Sequence, residues 1–314
     1  MVISNKKIFL LGPTASGKTE LVKYLYELFP IEIISVDSAQ IYKNLDIGTA
    51  KLSKKEFLKT PHHLIDIRSP IESYSVGDFK KDVDRIATKS IKNQKIPFLC
   101  GGTMMYFNSL EKPLSNLPVS TIKTKKQVND ELNKHGIDFL FNKLKNIDPL
   151  LAKRINRKDS QRIQRGLEVF YISGKPLSSF YKKKIVKDKS QIILKLALWP
   201  KNRKKLHTVI EERVKSMLKN GLIEEVEDIL KKYPKIDDSY PSMRAVGYRQ
   251  TYYYLKKKIT KNELQNKLIF ATRQLAKRQI TWMNKMDNLE IYDAFDKQLN
   301  IDINNRIEKF LIKD

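Results

Sequence analysis

The sequence predicts an α/β protein: a parallel sheet core flanked by helices, with a helical insertion subdomain. Three observations predict it. Apolar runs of strand length alternate with amphipathic segments of helical period through the first third of the chain. The first run, Ile8-Phe9-Leu10-Leu11, enters Gly12-Pro13-Thr14-Ala15-Ser16-Gly17-Lys18-Thr19, and Leu21, Val22 and Leu25 follow at helical spacing. The block 118–189 then changes character. It is helical, rich in lysine and broken at Gly136, Pro149, Gly174 and Pro176, and an apolar run at 192–198 follows it to rejoin the core.

The opening strand, glycine-bearing turn and helix start have the spacing of a P-loop, so the core is expected to be P-loop NTPase-like. The turn points successive backbone N–H groups at one anion, and the helix N-terminus adds its dipole. Lys18 supplies a mobile positive charge and Thr19 a hydroxyl for Mg2+. A glycine-rich turn on a Rossmann-like sheet with no phosphate is the plain alternative. The loop predicts a bound polyphosphate without naming its carrier.

Bulk composition bounds the rest. With 314 residues and 41% apolar content, the chain suits one large domain with an insertion, or two domains. Its net charge of +26 attracts polyanions, nucleic acid first, although the excess of lysine also suits a lysine-favouring composition. Cys100 is the single cysteine, which excludes disulfides and cysteine-based zinc modules and suggests a reducing compartment. No apolar run is long enough to span a membrane, and the chain enters a strand almost at once, so a cytoplasmic protein without a signal peptide is expected.

The remaining elements follow in order. The first helix ends near Phe29-Pro30, and Ile31–Val36 reads as a second strand leading into Asp37-Ser38-Ala39-Gln40. Parallel sheets carry active residues at the C-terminal ends of their strands, so Asp37 and Ser38 are expected beside the P-loop. Asp-Ser is also a common helix start, and capping alone would account for Asp37. Residues 51–59 read as a polar helix. The two histidines of Pro61-His62-His63-Leu64-Ile65-Asp66-Ile67 point to opposite faces of a short strand and make a poor metal site. Asp66 has the placing of a weak Walker B carboxylate, after an apolar run that is short for that role. Residues 74–91 have helical period, and 95–100 form the next strand, ending in Gly101-Gly102-Thr103 on the same rim.

Within the insertion, Gln161, Arg162, Ile163, Gln164 and Arg165 stand in one helical run. Arg162 and Arg165 share a face that suits phosphate contacts, or simply solvent. A long helix over 203–232 is interrupted near Gly221. The last helix read for function runs from 264 to 282, with Arg273 and Lys277, and Arg278 and Trp282, as i,i+4 neighbours. A cationic face ending in an aromatic fits single-stranded nucleic acid, and Trp282 equally fits ordinary core packing. The division expected is 1–117 for the first part of the core, 118–189 for the insertion, and 190–314 for core completion and C-terminal helices. Residues beyond Trp282 read as a peripheral tail.

Several motifs together carry a resemblance. They are the Gly12 to Thr19 loop, Ser35-Val36-Asp37-Ser38-Ala39-Gln40-Ile41-Tyr42, Asp46-Ile47-Gly48-Thr49-Ala50-Lys51, and Gly101-Gly102-Thr103 ahead of Tyr106. To these are added the run 159–168, Gly247-Tyr248-Arg249-Gln250 and the run 271–282. In this ordered set the chain resembles the bacterial-type tRNA dimethylallyltransferases, also called tRNA isopentenyltransferases. The resemblance implies transfer of a dimethylallyl group from dimethylallyl diphosphate to N6 of adenosine 37 in tRNAs reading codons that begin with U. It implies Mg2+ at Thr19 as cofactor, a tRNA anticodon stem-loop held partly by the insertion, and a monomeric enzyme with a base-flipping channel and no membrane partner.

The same resemblance assigns roles to residues. Lys18, Asp37 and Thr103 would serve catalysis, with Asp37 accepting the N6 proton. Gly12, Pro13, Thr14, Ala15, Ser16, Gly17, Lys18, Thr19 and Arg213 would bind the diphosphate. Asp37, Ser38, Ala39, Gln40, Thr103, Gln161, Arg162, Ile163, Gln164, Arg165, Arg244, Arg273, Lys277 and Arg278 would meet tRNA. Two departures stand out: Met104-Met105 where the family usually has Gly-Leu, and Gly166 where it usually has Ala, the latter a weakening of a helix by about 1 kcal/mol. Two other functions share parts of this pattern. A P-loop kinase of a nucleoside or other small metabolite would use Asp37 as base and the insertion as lid, and would transfer from ATP. An RNA-binding protein with a vestigial P-loop would bind RNA without affinity for a diphosphate.

Overall fold

A computed structural model describes residues 5–111, 117–118, 120–182 and 192–312. The chain divides into two compact units, one formed by residues 1–111 with 188–314 and the other by 112–187.

The larger unit is built on a six-stranded, all-parallel sheet. In chain order it contains β1 (Lys6–Leu11), α1 (Lys18–Leu28), β2 (Ile31–Val36), α2 (Lys54–Lys59), the two-residue β3 (His62–His63), α3 (Val76–Lys92), β4 (Ile96–Gly101) and α4 (Met104–Glu111). The strands lie in the order β3-β2-β4-β1, then two later strands. All of β1 is buried, as expected of a central strand covered on both faces. Its register sets Leu11 opposite Gly101, which in turn lies opposite Val36. Three strand ends therefore finish level, and the loops that leave them share one edge.

The smaller unit is helical, with α5 (Ile122–Ile147), α6 (Pro149–Ala152) and α7 (Ser160–Ser173). The breakers read from sequence act at their own positions. Gly136 kinks α5 at φ 79, Pro149 starts α6 under an Asp148 cap, and Gly174 ends α7 in the left-handed region at φ 67. Val128, Leu140, Leu144, Ile163 and Leu167 form its core. A Cβ on Gly166 would come within 2.7 Å of Leu144 Cδ1 and 2.9 Å of Leu151 Cδ2. The departure from Ala at this position is thus matched to close packing, and the loss in helix propensity is not its whole effect.

The chain returns to the sheet with β5 (Ile192–Trp199) beside β1 and continues through α8 (Arg203–Lys219), α9 (Leu222–Lys232), α10 (Tyr248–Leu255) and α11 (Lys261–Met283). Gly221, at φ 98, separates α8 from α9. The expectation of a peripheral tail after Trp282 is wrong. Residues 290–293 form β6 (Glu290–Asp293), which extends the sheet beyond β5, and α12 (Leu299–Ile312) follows. Leu299, Ile303, Ile307, Phe310 and Leu311 pack in the same core as Ile8, Leu10 and Leu25. The helical spacing of those residues buries one stripe of α12, and that stripe covers one face of the sheet. Phe79, Val83, Met104 and Phe107 from α3 and α4 cover the other. Among the described residues no helix is long and apolar enough to cross a membrane.

Candidate active site at the C-terminal edge of the sheet

The P-loop leaves β1 and turns into α1 through two residues in the left-handed region, Ala15 at φ 64 and Gly17 at φ 80. Lys18 folds back over the loop. Its Nζ donates to Gly12 O at 2.8 Å and Pro13 O at 2.7 Å, with Ser16 Oγ at 3.5 Å. Burial lowers its pKa to about 8; the positive charge of Arg213 adds to the effect and Asp37 opposes it. Thr19 is exposed on the first turn of α1.

Asp37 follows β2 on the same edge, and it opens a turn, not the helix that its sequence context also allows. Its Oδ1 accepts from Ala39 N at 2.8 Å and Gln40 N at 3.2 Å. Its Oδ2 has no hydrogen-bond partner among the described residues, so one carboxylate oxygen holds the turn and the other is available. Thr103, on the turn after β4, accepts from Ser38 N at 3.1 Å through Oγ1, and its own N–H donates to Val36 O. Ser38 and Thr103, far apart in sequence, thereby share one rim.

Arg213 reaches the same region from α8. Its Nη2 donates to Thr49 O at 3.5 Å, and the same carbonyl accepts from Gln40 Nε2 at 3.3 Å. Burial lowers the guanidinium pKa, partly offset by Asp37. Lys18, Asp37 and Arg213 therefore form one electrostatic cluster of two cations and one carboxylate. Cys100, at the end of β4, lies beside it, with its thiol pushed up to about 12 by burial, which keeps it protonated and unreactive.

The segment bearing Thr49 is pinned from behind by Glu225, which the sequence alone does not single out, and by Tyr248, which it does. Glu225 on α9 accepts from Asp46 N at 2.9 Å, Ile47 N at 2.7 Å and Gly48 N at 3.3 Å, and from Tyr248 Oη at 2.5 Å. Tyr248 Oη also accepts from Gly48 N at 3.1 Å, and a Cβ on Gly48 would fall 2.5 Å from the Tyr248 ring. The motifs 46–51 and 247–250 are thus two sides of one contact. Lys51 donates to Asp66 Oδ1 at 2.5 Å and Asp46 Oδ1 at 2.8 Å. The Asp66 carboxylate is paired with that lysine through Oδ1, and the residue lines the adjacent cleft. A cleft of about 770 Å³ opens on the α8 side of this segment, lined by Arg213, Ala50, Lys51, Phe57 and Met217, and no P-loop residue lines it.

The residues expected to meet RNA divide by their internal partners. On α11, Lys277 and Arg278 are exposed, Trp282 keeps 41% of its surface open, and Arg273 is paired with Glu211. On α7, Gln161 and Arg162 are exposed, whereas Arg165 donates to Ser120 Oγ and, at 2.9 Å, to Pro118 O. Gln164 donates to Ser160 Oγ at 3.2 Å. Ile163 is fully buried in the core of the smaller unit, so its side chain supports α7 and offers nothing to a partner. Arg244 is exposed on the turn before α10. His63 Nε2 bonds Glu32 Oε1 at 2.6 Å, and no group of three or more His, Cys, Asp or Glu among the described residues is arranged to hold a metal.

Comparison with known proteins identifies the architecture. The family model "IPP transferase" matches residues 40–286. A tRNA dimethylallyltransferase of Legionella pneumophila (strain Paris) is 46% identical over 308 residues, covering 98% of each chain. One of Methylobacillus flagellatus is 43% identical over 304 residues, covering 97% of this chain and 96% of that one. Among solved structures, the tRNA isopentenylpyrophosphate transferase of Bacillus halodurans superposes with a TM-score of 0.69 at 32% identity, covering 98% of this chain and 97% of that one. A eukaryotic dimethylallyltransferase acting on tRNA reaches a TM-score of 0.78 at 26% identity, over 98% of this chain and 80% of that one. Matched along nearly its whole length, the chain belongs to the IPP transferase family.

Proposed function

We propose that this enzyme transfers the dimethylallyl group of dimethylallyl diphosphate to N6 of adenosine 37 in tRNAs reading codons that begin with U, releasing diphosphate. The observation that carries the assignment of roles is the cluster of Lys18, Asp37 and Arg213 at one sheet edge, in a chain of this family. The C1–O bond to the diphosphate breaks as the N6–C1 bond forms, and N6 loses a proton. Charge builds on the leaving diphosphate, and the loop N–H groups, Lys18 and Arg213 are suited to neutralise it. Adenine N6 is a poor nucleophile because its lone pair is delocalised into the ring. The free Oδ2 of Asp37 suits the proton it loses, while Oδ1 keeps the carboxylate fixed. Thr103, holding Ser38, would orient the base or a phosphate oxygen.

Family membership implies a divalent cation. The exposed hydroxyl of Thr19 is a hard oxygen donor at a helix start and would suit Mg2+. When bound, the ion would share the negative charge of the leaving group. Exposed Gln161 and Arg162 on α7, with Arg244, Lys277 and Arg278, support contact with an anticodon stem-loop whose single-stranded base is extruded at modest cost. Incubation with dimethylallyl diphosphate, Mg2+ and unmodified tRNA, followed by nucleoside mass analysis, tests the reading. A dimethylallyl adenosine at position 37 is expected, and its absence from tRNAs that carry A37 and read codons beginning with U would overturn the reading.

A further inference from the structure

Gln279 projects from α11 between the two turns that hold the site. Its Oε1 accepts from Thr14 N at 2.8 Å, and its Nε2 donates to Gly102 O at 2.9 Å. One carboxamide thus uses its acceptor on the P-loop after β1 and its donor on the turn after β4. The residue falls on the buried stripe of α11, in step with Thr272, Ala276 and Met283, where an apolar side chain would be ordinary. The turn is shaped around it. A Cβ on Gly102 would lie 2.3 Å from Gln279 Nε2, so the space that glycine leaves is filled by this amide.

The bridge has two consequences. It engages the Thr14 N–H, leaving the anion cradle to the N–H groups from Ala15 onward. It also continues through Gly102 to Thr103, whose Oγ1 holds Ser38 beside Asp37. A single chain of contacts therefore runs from the diphosphate loop to the carboxylate. We propose that Gln279 is a positioning residue for the transfer: it sets the spacing between the diphosphate loop and the Asp37–Thr103 rim. This rests on the P-loop holding the diphosphate. Displacement of a reacting group by about 1 Å costs on the order of 10²-fold in rate, which is the scale at stake.

Three variants test it. Gln279→Ala is expected to lower kcat by roughly 10- to 100-fold while tRNA affinity stays near wild type. Gln279→Glu keeps the shape. Its carboxylate accepts from Thr14 N–H but has no proton for Gly102 O; once protonated it restores both bonds. Its kcat relative to wild type should therefore rise as pH falls from 8 to 5.5. Lys18, Asp37, Arg213 and Cys100 are common to both proteins, so the ratio isolates residue 279. Gly102→Ala, which evicts Nε2 from the other end, should cost little more when added to Gln279→Ala, because both break one bridge. Wild-type kcat in Gln279→Ala, a pH-flat ratio for Gln279→Glu, or additive losses with Gly102→Ala would each overturn the proposal. Lys18→Ala serves as control. If it binds the diphosphate as wild type does, the P-loop reading itself has failed; if it loses binding while the Gln279 variants turn over normally, only the bridge is refuted.

Discussion

Raising the pH from 7 to 9 should weaken binding of the allylic diphosphate about tenfold, through Lys18 alone. Burial holds its ammonium to a pKa of about 8 in the free enzyme, with Arg213 adding to the depression and Asp37 opposing it. A bound diphosphate would place negative charge against Nζ and keep it protonated, so binding takes up a proton wherever the free lysine has lost it. The sign follows: affinity is full below pH 8 and falls as pH rises through it. With a pKa of about 8, the protonated fraction drops from about 0.9 at pH 7 to about 0.1 at pH 9, equivalent to about 1.4 kcal/mol. The ligand contributes little, because phosphate groups are essentially ionised above pH 7. Titration calorimetry with a non-reactive thio-diphosphate analogue, in two buffers of different ionisation enthalpy, reads affinity and proton uptake together. About half a proton should be taken up at pH 8 and almost none at pH 6.5. Constant affinity from pH 7 to 9 with no uptake at pH 8 would refute the reasoning.

Three further outcomes are expected. Asp37→Asn keeps the turn acceptor and loses the proton acceptor, so single-turnover transfer should fall by roughly 10²- to 10⁴-fold with tRNA affinity little changed; recovery at raised Mg2+ would make Asp37 a metal-ordering residue instead. Lys277→Ala, Arg278→Ala and Arg162→Ala should each flatten the salt dependence of tRNA binding, by about 0.7 in the log–log slope for each phosphate no longer neutralised. Arg165→Ala and Arg273→Ala remove internally paired groups and should change melting temperature as well; wild-type slopes in Lys277→Ala, Arg278→Ala and Arg162→Ala would return those three to ordinary surface. Ile303→Ala, in the helix that sequence alone marks as a tail, should cost about 2–5 kcal/mol by denaturant unfolding, because the side chain is fully buried against the sheet.

Most of the sheet was legible because its strands carry local signals. Phe9 and Leu99 sit in unbroken apolar runs and Ile34 in a mostly apolar one, and each run ends in residues typical of a turn. The insertion was legible through its breakers, since Gly136, Pro149 and Gly174 act where they stand. The failure at the C-terminus has the opposite cause. Strand β6 is four residues long with no fully buried position, and α12 mixes Leu299, Ile303 and Ile307 with Asp302, Asn305 and Arg306. What makes them core is the open edge of β5 and the uncovered face beside α1, and neither is a property of residues 290–312.

The site divides along the same line. Lys18, Asp37 and Thr103 each follow a strand, so topology alone brings them to one edge. Arg213 could not be placed that way, because it lies mid-helix among charged neighbours and owes its position to a carbonyl at Thr49. Glu225 is harder still: in the first turn of α9 it reads as an ordinary helix-dipole partner, yet it gathers three backbone N–H groups and a phenol. Gln279 did carry a signal, a polar residue in step with Thr272, Ala276 and Met283 on a buried stripe. An amide on such a stripe needs both a donor and an acceptor, and glycines whose Cβ space is already occupied mark where such partners lie. Gly102 and Gly48 are two such glycines, one facing Gln279 and the other Tyr248. Read together, a polar residue on an apolar stripe and a glycine at a strand end or loop predict a contact that neither predicts alone.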